Sequence, residues 1–119
     1  MKPLIKPQKL HPGDKVAAVT LSWGGPSVFP GRYQAGKRQL EETFGVQVVE
    51  MPHTLSEAGW LKTHPQARAE DLMQAFADPD IKAIVSTIGG EDSIRLLPYF
   101  DLEVIRNNPK IFMGYSDTT

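Results

Sequence analysis

A serine that directly follows a strand-like run is the residue best placed for chemistry. The run at 110–114 reads KIFMG, and Tyr115, Ser116 and Asp117 come next. A serine in a tight turn after a buried strand can hold its hydroxyl above the sheet edge as a nucleophile. The backbone N–H of Asp117 then points into the same space, as a donor to an oxyanion. The match to G-x-S-x-G is partial because Thr118 stands at the second glycine, so Ser116 and Asp117 as caps of a following helix remain an alternative.

A pair of glycines marks a second segment with chemical potential. Residues 87–93 read TIGGEDS and follow another strand-like run. Without Cβ atoms, Gly89 and Gly90 let the backbone approach a ligand, and their N–H groups can bind an anion or oxyanion. The charges of Glu91 and Asp92 disfavour a bare phosphate and suit a substrate ammonium group or a metal-bound phosphate. The alternative is a structural turn in which Asp92 or the serine after it caps the next helix.

The groups that would activate a seryl nucleophile are not evident. A serine needs a base within hydrogen-bond reach and a third group that orients this base. The histidines, His11, His53 and His64, are scattered without metal-ligand spacing and do not pair with Ser116 by pattern. The absence of cysteine excludes disulfides, thiolate nucleophiles and cysteine–zinc sites. The sequence therefore predicts no metal site and no cofactor, and it offers a nucleophile without its base.

The elements that must position these segments follow from hydrophobic patterning. Short apolar runs typical of strands buried on both faces lie at 16–21, 46–50, 81–88 and 110–114. Helical patterns lie at about 31–44, 65–77, 92–97 and 101–107. Gly45 is placed as a helix C-cap, Pro65 in a first helical turn, Pro98 as a helix stop and Asp101 as an N-cap. With right-handed crossovers, this alternation predicts an α/β fold: a parallel, doubly wound sheet with flanking helices, of flavodoxin or glutamine-amidotransferase type.

Three loops of that sheet are predicted to meet. Ligands of such sheets bind beyond the carboxyl ends of the strands, and the loops 22–26, 89–93 and 115–118 all follow strands. Trp23, in the first of them, is either a packing residue or the wall of a pocket. The polar segment through His53 and Trp60 is predicted to be loop.

Length and composition limit the classes of function. The chain has 119 residues, enough for one domain and short for a two-domain enzyme. Thirteen Lys and Arg against fourteen Asp and Glu give a net charge of −1, which predicts no nucleic-acid partner and no anionic membrane surface. No apolar run is long enough for a signal or a membrane span, so we predict a cytoplasmic protein without a membrane partner.

At this point the residues carry a family resemblance. The segments 86–93 (STIGGEDS), 96–101 (LLPYFD) and 108–119 (NPKIFMGYSDTT) resemble the LD-carboxypeptidase family of serine peptidases. The similarity is strongest to its microcin C immunity branch, and Pro12-Gly13-Asp14 before the first strand is also similar to that family. The resemblance spans nearly the whole chain.

The resemblance implies a cytoplasmic serine carboxypeptidase or amidohydrolase with a Ser-Glu-His triad and no metal. Ser116 matches the nucleophile, and the backbone N–H groups of Gly90 and Asp117 match the oxyanion hole. In the family, the Glu and His lie in a second, C-terminal domain. Residues 1–119 are therefore expected to be the N-terminal, nucleophile-bearing α/β domain of a truncated enzyme, inactive by itself.

The branch bears on the substrate. Murein-recycling members carry a Gly-Gly-Tyr-Gly type segment where this chain has Gly89, Gly90 and Glu91, whereas members of the immunity branch cleave the amide between an acyl amino acid and a nucleotide-like group. The resemblance implies that Gly89 and Glu91 bind substrate, either a small peptide or an aminoacyl-nucleotide amide.

Two other classes of function stay open from the sequence. The glycine turn at 89–93 also resembles the Gly-Gly-Asp loops of sugar and nicotinamide-nucleotide kinases, which suits a nucleotide- or phosphate-binding domain, although no P-loop is present. A non-catalytic interaction module is the other class. An unpaired sheet edge and an exposed apolar surface would then favour a homodimer.

Overall fold

Four parallel strands form the sheet that the apolar runs predict. The computed structural model describes residues 3–119. The strands are β1 (Lys15–Val19), β2 (Gln47–Glu50), β3 (Ile81–Ser86) and β4 (Ile111–Met113). Their order is β2-β1-β3-β4, and every neighbouring pair is parallel. The chain crosses from β2 over β1 to β3, so the order reverses at β1 as in a doubly wound sheet. The predicted α/β fold class is confirmed.

Within residues 3–119, five α-helices and two 3₁₀ helices flank the sheet. The α-helices are α1 (Gly25–Val28), α2 (Pro30–Phe44), α3 (Ala58–Lys62), α4 (Pro65–Ala77) and α5 (Leu102–Asn107). The 3₁₀ helices are Ser93–Tyr99 and Ser116–Thr118.

Most of the helix ends lie where the sequence signals put them. Pro65 occupies the first turn of α4, where its missing N–H costs no hydrogen bond. Gly45 ends α2 with φ of 68°, a left-handed conformation that glycine adopts without strain. The Asp101 carboxylate caps α5 by accepting from the N–H of Glu103 at 3.1 Å. These signals work because each depends on one residue and its own backbone.

Other details of the helices differ from the prediction. The segments predicted as loops contain α1 and α3, and Trp60 lies within α3. These helices have four and five residues, too short for a periodic apolar pattern. Pro98 does not stop the helix after β3 but lies inside its 3₁₀ helix. Phe44 is 58% exposed, so α2 ends with a large apolar side chain in solvent.

The core has one layer on each face of the sheet. On one face, Ala17, Val19 and Ile84 pack against Ala69, Leu72 and Phe76 of α4, which recur at the spacing of one helix face. On the other face a smaller cluster contains Val16, Val46 and Ala83, with Leu40 of α2 packed against it. Successive residues of β1 therefore point into different layers, which explains why the strand lacks polar alternation. Among residues 3–119, none of the helices is long and apolar enough to cross a lipid bilayer.

Candidate active site

The carboxylate of Asp117 joins the three loops at the carboxyl edge of the sheet. Its Oδ2 accepts from the Ser22 hydroxyl at 2.7 Å and from the N–H groups of Asp92 and Ser93, both at 3.1 Å. The Ser93 hydroxyl donates in return to the Asp117 carbonyl at 2.5 Å. The loops at 22–26, 89–93 and 115–118 thus meet as predicted from the topology. Because the two N–H groups already bind a carboxylate, they are not free for a phosphate.

Ser116 is held in a strained backbone conformation. Its φ is 60°, and it is the one residue other than glycine with positive φ within residues 3–119. It is exposed and opens the 3₁₀ turn Ser116–Thr118. A left-handed conformation costs an L-residue about 1–2 kcal/mol and is typical of functional sites where the surroundings enforce it. The Asp117 hydrogen bonds to the other loops supply that enforcement on the adjacent residue.

Two glycines make room for this turn. A Cβ on Gly89 would lie 2.7 Å from the Ser116 Cβ and 3.1 Å from its Oγ, so the backbone of Gly89 packs directly against the serine. A Cβ on Gly90 would lie 2.5 Å from the Ser22 Oγ and 3.1 Å from the Trp23 nitrogen. The glycine pair predicted to allow close approach therefore faces the serine and the first loop. An alanine at either position would displace one of them.

Several polar groups around Ser116 have no protein partner. Within residues 3–119, the backbone N–H groups of Gly90 and Asp117 donate to no protein acceptor. The Asp117 Oδ1 is also buried without a partner in that part of the chain, and it lies 3.3 Å from where a Cβ on Gly89 would be. The two N–H groups are those that the sequence predicts for an oxyanion hole.

The hydrogen bonds around Asp117 control its charge. Burial alone raises the pKa of this carboxyl, because it disfavours the charged form. The hydrogen bonds from Ser22, Ser93 and Asp92 outweigh burial and hold the pKa of Asp117 below its usual range. Asp117 is therefore an anion at neutral pH. Its side chain bonds to the other two loops and accepts no hydrogen bond from the 3₁₀ turn that contains it. The alternative prediction had made Asp117 a helix cap.

A buried arginine behind the site was missed by the sequence reasoning. Arg68 of α4 is fully buried, and its two terminal nitrogens donate to the Leu21 carbonyl at 3.0 Å and to the Asp92 Oδ2 at 2.7 Å. The Arg95 Nε approaches the Asp92 Oδ1 at 3.0 Å from the solvent side. Arg68 thus ties the end of β1 to the glycine turn. An arginine within an apolar helical stripe gives the only sequence signal, because long charged side chains are rarely buried without a partner.

Two of the histidines pack against the Trp60 ring of α3. The His53 Nδ1 is 2.8 Å from the Asp71 Oδ1, and its ring stacks on Trp60, which also stacks on His64. Burial raises the pKa of Asp71, and the hydrogen bonds from His53 only partly oppose it. Within residues 3–119, no histidine forms a hydrogen bond with Ser116. In the same range, no group of three or more His, Asp or Glu side chains could hold a metal ion.

Two cavities are lined by residues that neighbour Gly89 and Ser116 in the chain. The first, of about 550 Å³, is mainly apolar, and its walls include Leu72, Phe76, Phe100 and Asp117. The second, of about 660 Å³, is lined by Ser22, Trp23, Ala58, Gly59, Lys62, Gly90, Glu91, Asp92 and Arg95. Glu91 borders both cavities. Trp23, 41% exposed, forms a pocket wall, one of the two roles predicted for it.

The fold and the site define a class of parallel α/β domain. In this class, a serine on a strained turn after a strand faces a glycine turn across the carboxyl edge of the sheet, as in hydrolases whose nucleophile follows a strand. The chain belongs to the peptidase S66 family: the model of the LD-carboxypeptidase N-terminal domain matches residues 16–119. The predicted family is confirmed.

The similar proteins include carboxypeptidases and immunity proteins. A candidate carboxypeptidase of Vibrio cholerae is 36% identical over 116 residues, 98% of this chain and 34% of that protein. The microcin C7 self-immunity protein MccF of Escherichia coli is 52% identical over 52 residues, 44% of this chain and 15% of MccF. The chain spans about a third of the length of the first of these relatives.

Solved structures agree with the sequence relatives. MccF in complex with aspartyl sulfamoyl adenosine has a TM-score of 0.85 at 33% identity, covering 98% of this chain and 34% of that chain. An MccF-like protein from Streptococcus pneumoniae, solved with AMP, has a TM-score of 0.79 at 38% identity, covering 89% of this chain and 32% of the other. A further MccF structure is an active site mutant in which a serine, an asparagine and a lysine are changed to alanine.

Proposed function

We propose that the chain is the nucleophile-bearing domain of a serine carboxypeptidase or amidohydrolase, with Ser116 as the nucleophile. The observation that carries this proposal is the strained Ser116 turn packed against Gly89. A capping or purely structural serine has no need of a conformation that costs free energy and leaves its hydroxyl exposed. Family membership and the active site serine of MccF support the same assignment.

In the proposed reaction, the Ser116 Oγ attacks the carbonyl carbon of an amide while a base takes its proton. The carbonyl oxygen becomes an oxyanion that accepts from the N–H groups of Gly90 and Asp117. Collapse of the tetrahedral intermediate breaks the C–N bond, and the same base returns the proton to the leaving amine. Water then hydrolyses the acyl-enzyme. The fixed anion of Asp117 positions its own N–H through the three hydrogen bonds on its side chain.

The base of the proposed triad lies outside this chain. The His53 and Asp71 pair is engaged in its own stack with Trp60 and has no link to Ser116 in the described residues. We therefore propose that a Glu and a His from the C-terminal domain of the family complete a Ser-Glu-His triad. The isolated chain is then inactive, and the cytoplasm is the proposed site of action of the complete enzyme.

The proposed substrate is an amide of an aminoacyl group, either in a small peptide or in an aminoacyl nucleotide. MccF binds aspartyl sulfamoyl adenosine and the Streptococcus pneumoniae protein binds AMP, which favours the nucleotide amide, whereas a relative in Bacillus subtilis is named for murein peptides. Gly89 and Glu91 are the proposed substrate contacts, because Gly89 packs against Ser116 and Glu91 borders both cavities.

The experiment combines this chain with the C-terminal domain of a family relative and measures amide hydrolysis. We expect turnover only when both parts are present, and loss of turnover of at least about a thousandfold in Ser116→Ala. Ser56→Ala is the matched control, because Ser56 belongs to none of the three loops and lines neither cavity. Restored turnover that survives Ser116→Ala would overturn the assignment of the nucleophile.

We also propose that the domain self-associates through the free edge of β4. Within residues 3–119 this strand is the last in the sheet order, and its residue Met113 is 55% exposed. Unpaired edges favour pairing with another strand. Light scattering after size exclusion is expected to give a dimer for the chain and a monomer for Met113→Lys; a monomeric parent chain would contradict the proposal.

A further inference from the structure

Ser22 contacts both of the loops that carry the proposed oxyanion donors. It lies in the loop that follows β1, and only 3% of the residue is exposed. Its hydroxyl donates to the Asp117 Oδ2 at 2.7 Å and accepts from the Asp92 N–H at 3.0 Å. A Cβ on Gly90 would lie 2.5 Å from this Oγ, so the hydroxyl lies directly against the Gly90 backbone. Ser22 is therefore the point at which the first loop meets the other two.

The partners of the Ser22 hydroxyl fix the direction of its proton. Burial raises the pKa of Asp117, but its hydrogen bonds outweigh burial and keep this carboxyl an anion at neutral pH, which can only accept. The backbone N–H of Asp92 can only donate. The hydroxyl proton therefore points to Asp117, and a lone pair faces Asp92. Because its proton is committed to a carboxylate, this buried hydroxyl is not a second nucleophile.

The two donors of the proposed oxyanion hole need a fixed separation. The N–H groups of Gly90 and Asp117 belong to different loops, and both must lie about 2.7–3.1 Å from the same developing oxyanion. Ser22 contacts Gly90 at its backbone and Asp117 at its carboxylate. A displacement of Ser22 therefore changes the positions of both donors.

We propose that Ser22 is a positioning residue of the oxyanion hole, whose hydroxyl holds the Asp117 side chain and at the same time supports the backbone of Gly90. This inference rests on the proposed function and adds the residue that sets the distance between the two N–H donors. In this role Ser22 acts through its two neighbours and makes no bond to the substrate.

Loss of the hydroxyl is expected to affect the transition state more than the bound substrate. Preorganised donors are aimed at the oxyanion, which forms only as the reaction proceeds. Complete removal of one such donor costs about a hundredfold to a thousandfold in kcat. Ser22→Ala keeps both N–H groups but removes one bond to Asp117 and opens space beside Gly90. We therefore expect a smaller loss, of about tenfold to a hundredfold in kcat, with KM changed by less than about twofold.

The kinetic test uses the reconstituted enzyme described above. Ser22→Ala is compared with Ser86→Ala, which changes another buried serine, at the end of β3. The Ser86 hydroxyl donates to the Ile88 carbonyl, and within residues 3–119 it forms no hydrogen bond with Asp117 or Asp92. We expect Ser86→Ala to change kcat by less than about twofold. A rise in KM at unchanged kcat would make Ser22 a substrate contact and overturn the proposal, as would equal losses of kcat in the two variants.

A double-mutant cycle tests the contact between Ser22 and Gly90. A Cβ on Gly90 would lie 2.5 Å from the Ser22 Oγ but 3.2 Å from the Ser22 Cβ. Ser22→Ala removes the oxygen that this Cβ displaces. We therefore expect Gly90→Ala to reduce kcat by a smaller factor in the Ser22→Ala background than in the unaltered chain. Equal factors in the two backgrounds would contradict the proposed link.

NMR of the chain without the C-terminal domain separates the possible failures. We expect Ser22→Ala to shift the backbone amide resonances of Gly90 and Asp117 and to raise the pKa of the Asp117 carboxyl, because the Ser22 bond lowers this pKa. Ser86→Ala should do neither. If Ser22→Ala does not fold, Gly90→Ala replaces it, since the displaced Ser22 hydroxyl should shift the Asp117 amide resonance. An unmoved Asp117 resonance refutes the positioning role. The proposed function fails instead if Ser116→Ala retains hydrolysis, whatever Ser22→Ala does.

Discussion

Replacement of Arg68 by methionine tests how the active site is held together. The guanidinium is fully buried and donates to the Leu21 carbonyl and to the Asp92 carboxylate. Arg68→Met keeps an unbranched apolar stem of similar length but removes these donors. The carboxylate of Asp92, whose side chain is 21% exposed, then loses its shorter ion pair and keeps Arg95.

The expected loss of stability is large. Removal of one partner from a buried ion pair costs about 3–5 kcal/mol, because the other charge stays buried and uncompensated. A carbonyl left without its donor adds to this loss, and the remaining contact with Arg95 and with solvent reduces it. We therefore expect Arg68→Met to lower the free energy of unfolding by about 3–5 kcal/mol, a large part of the about 5–15 kcal/mol available to a domain.

Arg95→Met is the matched control on the same carboxylate. The Arg95 side chain is 59% exposed, although its distance to Asp92 is 3.0 Å, close to that of Arg68. An exposed ion pair contributes at most about 1 kcal/mol. The two variants make the same substitution and remove the same kind of contact to Asp92, so burial is the main difference between them.

The assay is urea unfolding monitored by circular dichroism. The slope of the free energy of unfolding against urea concentration should be the same in all variants. A double-mutant cycle with Asp92→Asn then measures the coupling: Asp92→Asn is expected to cost less in the Arg68→Met background, where the carboxylate has lost its main partner. The reasoning is refuted if Arg68→Met and Arg95→Met destabilise the chain equally, or if the cycle gives no coupling.

Three further predictions concern the serine turn. Gly89→Ala puts a Cβ 2.7 Å from the Ser116 Cβ and should lower the free energy of unfolding by about 1–3 kcal/mol. Its control is Gly36→Ala within α2, where a Cβ meets open space and should raise the free energy of unfolding by about 0.5–1 kcal/mol. Calorimetric melting compares the two variants. Ser116→Gly relieves the positive φ and should raise stability by up to about 1 kcal/mol while hydrolysis by the reconstituted enzyme is lost; a less stable variant contradicts the strain. The lowered pKa of Asp117 stabilises the fold at every pH above the usual aspartate pKa of about 3.9, and this contribution is lost as the pH falls from there through the folded-state pKa. Asp117→Asn should therefore flatten the acid limb of the curve of stability against pH. An unchanged limb would argue against a lowered pKa of Asp117.

The sheet and its active edge could be predicted because they depend on patterns of single segments. Each strand is a short apolar run, since a strand in a parallel sheet is covered on both faces. Because the strands are parallel, the loops that follow β1, β3 and β4 lie at the same edge of the sheet, independently of their side chains. In contrast, α1 and α3 pack against each other although they are distant in the chain. A Cβ on Gly24, just before α1, would lie 2.6 Å from the Cα of Ala58, the first residue of α3. No local pattern carries such a contact.

The site was predictable in part for the same reason. Ser116 and the glycine pair stand out through residue type and position after a strand. The partners of Asp117 could not be predicted, because Ser22 and Asp92 are 95 and 25 residues away in the chain, and a carboxylate after a serine reads equally well as a helix cap. Arg68 was missed since a cation in a helix is usually exposed, and only the fold shows that its side chain reaches across to the end of β1.

The positioning of Ser116 and its activation by a base depend on different parts of the proposed enzyme. The strained turn at Ser116 costs free energy whenever the domain is folded, and the bonds of Asp117 and Arg68 that offset it lie within this domain. In the proposed enzyme, the base from the C-terminal domain acts on a hydroxyl that is already in position, so that domain needs to supply only the proton transfer. If Arg68→Met weakens the turn without unfolding the domain, reconstituted activity should fall through kcat, because the serine loses its position relative to the proposed base.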